Sequence, residues 1–257
     1  MRVLWIFAHP ESRSLSGALR DDALRALDGL GHEHRSSDLY AMKWKPTVDA
    51  DDFTHYQPDA PLVVTAASRH AHRTGTLSPD IRTEQEKLDW ADTVVLQFPL
   101  WWGGMPAILK GWFDRVFVKG FAYGVTDPYD GRTLRYGEGR LAGKRALVVV
   151  TAGSGPAALG PRGINGRLDQ LLFPLLHGTL WYAGMSVLSP FAVHGADRVG
   201  GQEYDEAVAR LRELLARLEA EEPIRYRYQN GGDYDDDLVL RADVAPGVTG
   251  LAAHYAG

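Results

Sequence analysis

Residues 97–117, "QFPLWWGGMPAILKGWFDRVF", decide the architecture. The apolar run 93–100 reads as a buried central strand, preceded by a polar helix over 81–91. The second half, 106–118, reads as a helix with a proline near its start, where the missing N–H costs nothing. Between them stand Pro99, two tryptophans and two glycines. Paired aromatics beside glycine at a strand's carboxyl end can bound a flat ring while backbone N–H groups reach its edge. Trp112, Phe113 and Phe117 sit at helical spacing and read as core. Trp101 and Trp102 are adjacent in a loop, so at most one reads as plain packing.

Outward from this stretch, apolar runs alternate with amphipathic segments, the pattern of a parallel sheet covered by helices on both faces. Strands are expected over 3–8, 93–100, 146–151 and 185–193, with a weak polar strand over 32–36 at a sheet edge. Helices are expected over 15–30, 168–181 and 203–220; Leu15, Leu19, Ala23, Ala26, Leu27 and Leu30 mark the first, and Gly31 suits its end. The fold class is therefore α/β, a flavodoxin-like doubly wound sheet of five parallel strands. Such sheets bind ligands beyond the carboxyl ends of their strands. Two long connections, 45–79 and 123–143, exceed ordinary loop lengths. Residues 1–222 are expected to form the main domain, and 223–257 a C-terminal extension over the body or a partner subunit.

The 257 residues are 45% hydrophobic and 24% charged, a composition able to bury a full core. A net charge of -5 argues against nucleic acid or an anionic membrane as main partner. With no cysteine, disulfides, zinc-thiolate sites, iron–sulfur clusters and cysteine nucleophiles are excluded. The N-terminus lacks signal-peptide features, and no window holds the ~18 apolar residues of a membrane span, so a cytoplasmic protein without membrane insertion is expected.

After the first strand, "AHPESRSLSG" offers His9, Ser12, Ser14 and Ser16 at a helix start, suited to phosphate; ordinary capping by Ser14 or Ser16 is the alternative. After the 146–151 strand, "VVTAGSGP" places Thr151, Gly153, Ser154 and Gly155 in a turn rich in backbone donors, or in a merely tight turn. Ala152 breaks the nucleophile-elbow pattern, and neither Walker A nor Rossmann spacing occurs. His70 and His72 lack nearby carboxylates, so no metal site is expected. Asp233, Asp235 and Asp237 imitate a calcium loop, but Leu238 stands where its glycine belongs.

These segments, with "LSPDIRTEQEKLDWADTVVL", "FAYG", "GINGRLDQLLFPLLHGTLWYAGM" and "GVTGLAAHYAG", resemble the NAD(P)H:quinone oxidoreductase (DT-diaphorase) family from first strand to tail. The resemblance implies a homodimer with two interfacial flavin sites, usually FAD with FMN the alternative. It also implies ping-pong hydride transfer from NAD(P)H to flavin and then to a quinone, through one pocket. His9, Ser14, Leu15 and Ser16 would hold the pyrophosphate region. Pro99, Leu100, Trp101, Trp102 and Gly103 would line the isoalloxazine, with Thr151, Ala152, Gly153 and Ser154 along its pyrimidine edge. Trp102, Tyr123, Val125, Asn165 and Tyr182 would wall the substrate pocket, the two tyrosines from the opposite subunit. Trp102, Gly153 and Asn165 are the catalytic candidates.

Departures from the family are specific. Leu159, on the cofactor side, replaces the family's catalytic tyrosine and Asn165 its histidine, so the Tyr–His proton relay is missing. Gly103 replaces an aromatic and Val125 a second tyrosine, which enlarges the pocket. No basic adenine-contacting residue stands near Ala207. The lost relay motivates an alternative, a regulatory flavoprotein resembling the ancillary subunits of potassium-efflux systems.

Overall fold

A computed structural model describes residues 1–57, 59 and 61–256. Pro58 and Ala60, inside the expected connection 45–79, and Gly257, which ends the quoted tail motif, lie outside the described residues. Strand β3 (Thr93–Pro99) is buried at every position and runs parallel to β1 (Arg2–Phe7) on one side and β6 (Arg145–Ala152) on the other. Burial on both faces explains why its sequence is a continuous apolar run. The polar β2 (Glu33–Asp38) occupies the edge beside β1.

The expected last strand, 185–193, is two pieces. Both β7 (Ser186–Val187) and β8 (Phe191–His194) pair with β6, on either side of Leu188–Ser189–Pro190. Pro190 has no N–H to give a ladder, which accounts for the break. The helix expected over 168–181 is interrupted. The chain instead forms α5 (Leu168–Leu171), α6 (Phe173–Leu175) and a π turn (Leu176–Trp181). Pro174 removes a helical donor, and Tyr182 N–H donates to the His177 carbonyl at 3.0 Å, five residues back.

Neither long connection is structureless. The first contains a 3-10 turn (Ala50–Asp52) and helix α2 (Val64–Thr74); the second folds into the hairpin β4 (Val125–Thr126) and β5 (Thr133–Leu134). Two apolar layers flank the sheet. Helices α1 (Leu15–Gly29) and α7 (Gly201–Ala216) cover one face through Leu19, Ala23, Leu27, Leu211 and Leu215. Helices α3 (Pro79–Trp90) and α4 (Ala107–Val116) cover the other, with Trp112 fully buried and its indole N–H donating to Glu84 Oε2 at 2.9 Å. In the final segment, Ile224 N–H donates to the Val187 carbonyl and Tyr226 is buried.

Burial gives His177 a pH-dependent role in stability. Its ring stacks on Phe173 at 4.5 Å, and desolvation pushes its pKa down to about 4 from an unfolded value of 6.5. The unfolded chain therefore takes up a proton that the native ring refuses. The native advantage is complete above pH 6.5 and is lost as pH falls toward 4, on the order of 3 kcal/mol in all. Urea midpoints at pH 7 and 4.5 should show this loss, and His177→Phe should flatten it. An equal loss in the variant would reject His177 as the cause.

Candidate functional site

Adjacent strands β1, β3 and β6 send their following loops out at one carboxyl edge, where the strand order reverses. In the first loop, Glu11 N–H donates to His9 Nδ1 at 3.1 Å, and the Ser14 hydroxyl lies 3.0 Å from the same nitrogen. Ser14 Oγ also caps α1, accepting from Gly17 N–H at 3.1 Å. The amides of Leu15 and Ser16 have no hydrogen-bond partner among the described residues, so the helix presents them at its positive end. A Cβ at Gly17 would stand 1.9 Å from the Ser12 carbonyl oxygen, so only glycine permits this wrap of loop on helix.

The second loop is a tight hairpin. Trp101 and Gly104 exchange two N–H···O bonds of 3.0 Å, and the central pair, Trp102 and Gly103, have φ of 51° and 76°. Both being positive makes a type I′ turn, natural for glycine but strained for tryptophan. Trp102 is fully exposed and Trp101 half-exposed, so neither is core. Trp101 lies 6.3 Å from the His9 ring, which places the hairpin against the first loop. Leu100 N–H donates to the Thr151 carbonyl at 2.8 Å, joining the hairpin to the third loop, while Pro99 is buried at the strand end.

In the third loop, Thr151 and Ala152 are buried and Gly153 is exposed. Asn165 Nδ2 donates to Ser154 Oγ at 3.1 Å, and Asn165 N–H to the Ala158 carbonyl, so Asn165 closes this loop on itself. Leu159 is buried beneath it and accepts at its carbonyl from Leu168 N–H. The first and third loops meet directly through Ser16 Oγ and Thr151 Oγ1, 2.8 Å apart.

Several residues here escaped the sequence reading. Gln97 is fully buried; its Nε2 donates to the Ser16 carbonyl at 2.7 Å, and its Oε1 accepts from Trp5 Nε1 at 2.8 Å. A polar side chain within a fully buried strand was the signal available. Asp197 and Arg198 come from beyond β8: the Asp197 carboxylate lies 3.0 Å from a Cβ built on Gly153, and Arg198 Nη2 reaches the Gly153 carbonyl at 3.5 Å. Gly17 was also missed.

The remaining candidates belong to other elements of the chain. Tyr123 lines a cavity of about 360 Å³ with Ser68, Lys110, Pro174 and Thr179. Val125 sits in β4, and Tyr182 packs edge-on against Tyr136 at 5.0 Å. No hydrogen bond or ring contact joins the two tyrosines to Trp102 or Ser154 among the described residues. His70 packs against His55 and His72 against Phe121; no group of three metal-ligating side chains occurs among the described residues. Asp235 closes a turn through Asp237 and Val239 amides, and Asp233 pairs with Arg227.

Comparison with known proteins places this geometry. A family model described as flavodoxin-like fold matches residues 1–218. A ribosyldihydronicotinamide dehydrogenase-like protein of Penicillium crustosum is 47% identical over 235 residues, covering 91% of this chain and 87% of that protein. NAD(P)H dehydrogenase (quinone) 1 of Cavia porcellus is 37% identical over 226 residues, covering 88% of this chain and 80% of its own. The crystal structure of a candidate quinone reductase from Klebsiella pneumoniae superposes with a TM-score of 0.95 at 50% identity, covering 100% of each chain.

Proposed function

Since the chain belongs to the flavodoxin-like-fold family and to its NAD(P)H:quinone oxidoreductase branch, we propose that it is a flavin-dependent oxidoreductase that passes electrons from NAD(P)H to quinones or similar electrophiles. The observation that supports this best is the strained, exposed Trp102–Gly103 turn beside a helix start with two unpartnered amides. Such strain persists where a site needs it. The relatives reported above lend no support to the regulatory-subunit alternative.

The residues fit a flavin. Leu15 and Ser16 amides, with His9 and Ser14, would hold its phosphate end; Pro99 to Gly103 would line the ring, and Thr151 to Ser154 its polar edge, with Leu159 beneath. A bound flavin supplies reversible two-electron hydride chemistry. FAD is the form proposed, with FMN the shorter alternative. Trp102 would help to orient a planar substrate at the ring, which contributes proximity rather than chemistry. Gly153 leaves its backbone open to the ring edge, and Asn165 holds Ser154 in place. Leu159 carries no exchangeable side-chain proton and the Asn165 amide does not titrate in the neutral range, so neither would pass a proton to or from a bound flavin.

The proposed unit is a cytoplasmic homodimer in which Tyr123 and Tyr182 of one subunit face the ring held by the other, with Val125 in the same substrate pocket. That arrangement agrees with the absence of any hydrogen bond or ring contact between the two tyrosines and Trp102 among the described residues. Residues 223–257 form the proposed C-terminal extension. No helix among the described residues is long and apolar enough to cross a membrane.

The purified protein should be yellow and oxidise NADPH only when a quinone is added. Trp102→Ala should lower kcat/KM about 2- to 10-fold, the size of a lost aromatic contact, without lowering the melting temperature. Protein that stays colourless and inactive after reconstitution with either FAD or FMN would overturn the proposal.

A further inference from the structure

Gln97 is fully buried in β3, and its amide reaches into the apolar layer between the sheet and α1 that holds Trp5, Phe7 and Leu19. Three hydrogen bonds run from it. The backbone carbonyl accepts from Ala8 N–H at 2.9 Å. In the side chain, Oε1 accepts from Trp5 Nε1 at 2.8 Å, and Nε2 donates to the Ser16 carbonyl at 2.7 Å. Ala8 and Ser16 bound the loop after β1, so one residue of the central strand holds that loop at both ends.

The direction of the amide is fixed. An indole N–H can only donate, so Trp5 takes the amide oxygen and leaves the amide nitrogen facing Ser16. Ser16 is anchored again through its Oγ, 2.8 Å from Thr151 Oγ1, and the next peptide N–H, that of Gly17, donates to Ser14 Oγ at 3.1 Å. The carbonyl and the hydroxyl of Ser16 are thus engaged from within the protein. Its N–H, like that of Leu15, has no partner among the described residues.

Stability alone does not call for an amide at this place. Desolvating one costs free energy that its hydrogen bonds roughly return, and a matched apolar pair can be nearly neutral by comparison. What an apolar pair lacks is direction. A fully satisfied buried network specifies a single geometry, here the separation of the Ser16 peptide from β3.

We propose that Gln97 is a positioning residue for the phosphate end of the flavin: it fixes the first turn of α1 against the central strand, so that the Leu15 and Ser16 amides converge on one anion. Gln97 acts through Ser16 and not by contact. The inference rests on the flavin reading of this loop and concerns the phosphate alone.

The test is fluorescence titration of the full-length, deflavinated protein with riboflavin, FMN and FAD. The parent protein should bind both phosphate-bearing flavins more tightly than riboflavin. Gln97→Met keeps the length of the side chain and removes the amide; it should weaken FMN and FAD about 10-fold, the scale of one hydrogen bond, while riboflavin affinity holds. The same variant strands the Trp5 N–H in the core, so its melting temperature should fall. Trp5→Phe/Gln97→Met removes both partners and should regain most of the melting temperature, but not the preference for FMN over riboflavin. It also carries the test if the single variant fails to fold. Equal weakening of all three flavins, a parent-like preference in the double variant, or no preference for phosphate in the parent protein would each overturn the proposal. A parent protein that binds none of the three would sink the proposed function as well, whereas parent-like binding in both variants would remove the role of Gln97 alone.

Discussion

An Asp52→Ala variant is expected to melt on the order of 10 °C below the parent protein, a loss of about 3–5 kcal/mol. Asp52 and Arg115 are 1% and 2% exposed, and Asp52 Oδ1 accepts from Arg115 Nη2 at 2.8 Å and Nε at 3.1 Å. Lys45 reaches the same oxygen at 3.1 Å, Asp80 pairs with Arg115 at 2.7 Å, and the guanidinium stacks on Trp44 at 4.5 Å. The cluster ties the 3-10 turn, α3 and α4 together. Removing Asp52 strands a buried cation whose desolvation Asp80 only partly offsets. The double variant Asp52→Leu/Arg115→Met should recover much of the stability, because an apolar pair carries no desolvation cost. Equal melting temperatures for the single and double variants, measured by calorimetry at pH 7, would show that the stranded charge is not the cause.

Gly17→Ala is expected to weaken flavin binding about 100-fold, the scale of an ångström-sized misplacement at a site. The new methyl would meet the Ser12 carbonyl oxygen at 1.9 Å and its carbon at 2.7 Å, both backbone atoms that cannot rotate aside. Either the loop or the start of α1 must shift, and the unpartnered Leu15 and Ser16 amides shift with it. Overpacking of this kind also costs about 1–3 kcal/mol of stability. Gly29→Ala is the control: it lies at the other end of the same helix, where a Cβ meets nothing within 4 Å, so flavin affinity should not change. Fluorescence titration of the deflavinated proteins with FMN and FAD separates the two variants. Wild-type affinity in Gly17→Ala would remove the loop from the binding site.

Much of this architecture is legible in the chain because burial imposes periodicity. Residues 93–99 lack a polar side on which to alternate, and α1 repeats its apolar residues at helical spacing; a strand covered on both faces and a helix on its surface require those patterns. The three loops at one sheet edge follow from the same alternation, since parallel strands deliver their carboxyl ends together. Where periodicity failed, one backbone feature intervened. Pro190 splits the last strand, and Pro174 with the π turn breaks the helix over 168–181. Neither proline announces whether a chain bends, stops or resumes.

By itself the sequence determined the α/β layering, the family, and the stretch 97–117 with its two tryptophans in a loop; that this loop is an exposed type I′ hairpin is structural. Only the tertiary structure decided what lies against that stretch. Gln97 joins Trp5 to the Ser16 carbonyl, Ser16 meets Thr151 across 135 positions, and Asp197 and Arg198 approach Gly153 from beyond the last strand. Local propensity acts within a few residues and leaves a signature in spacing. Hydrogen bonds between remote side chains depend on strand order and crossover, which bring distant residues together without marking either one.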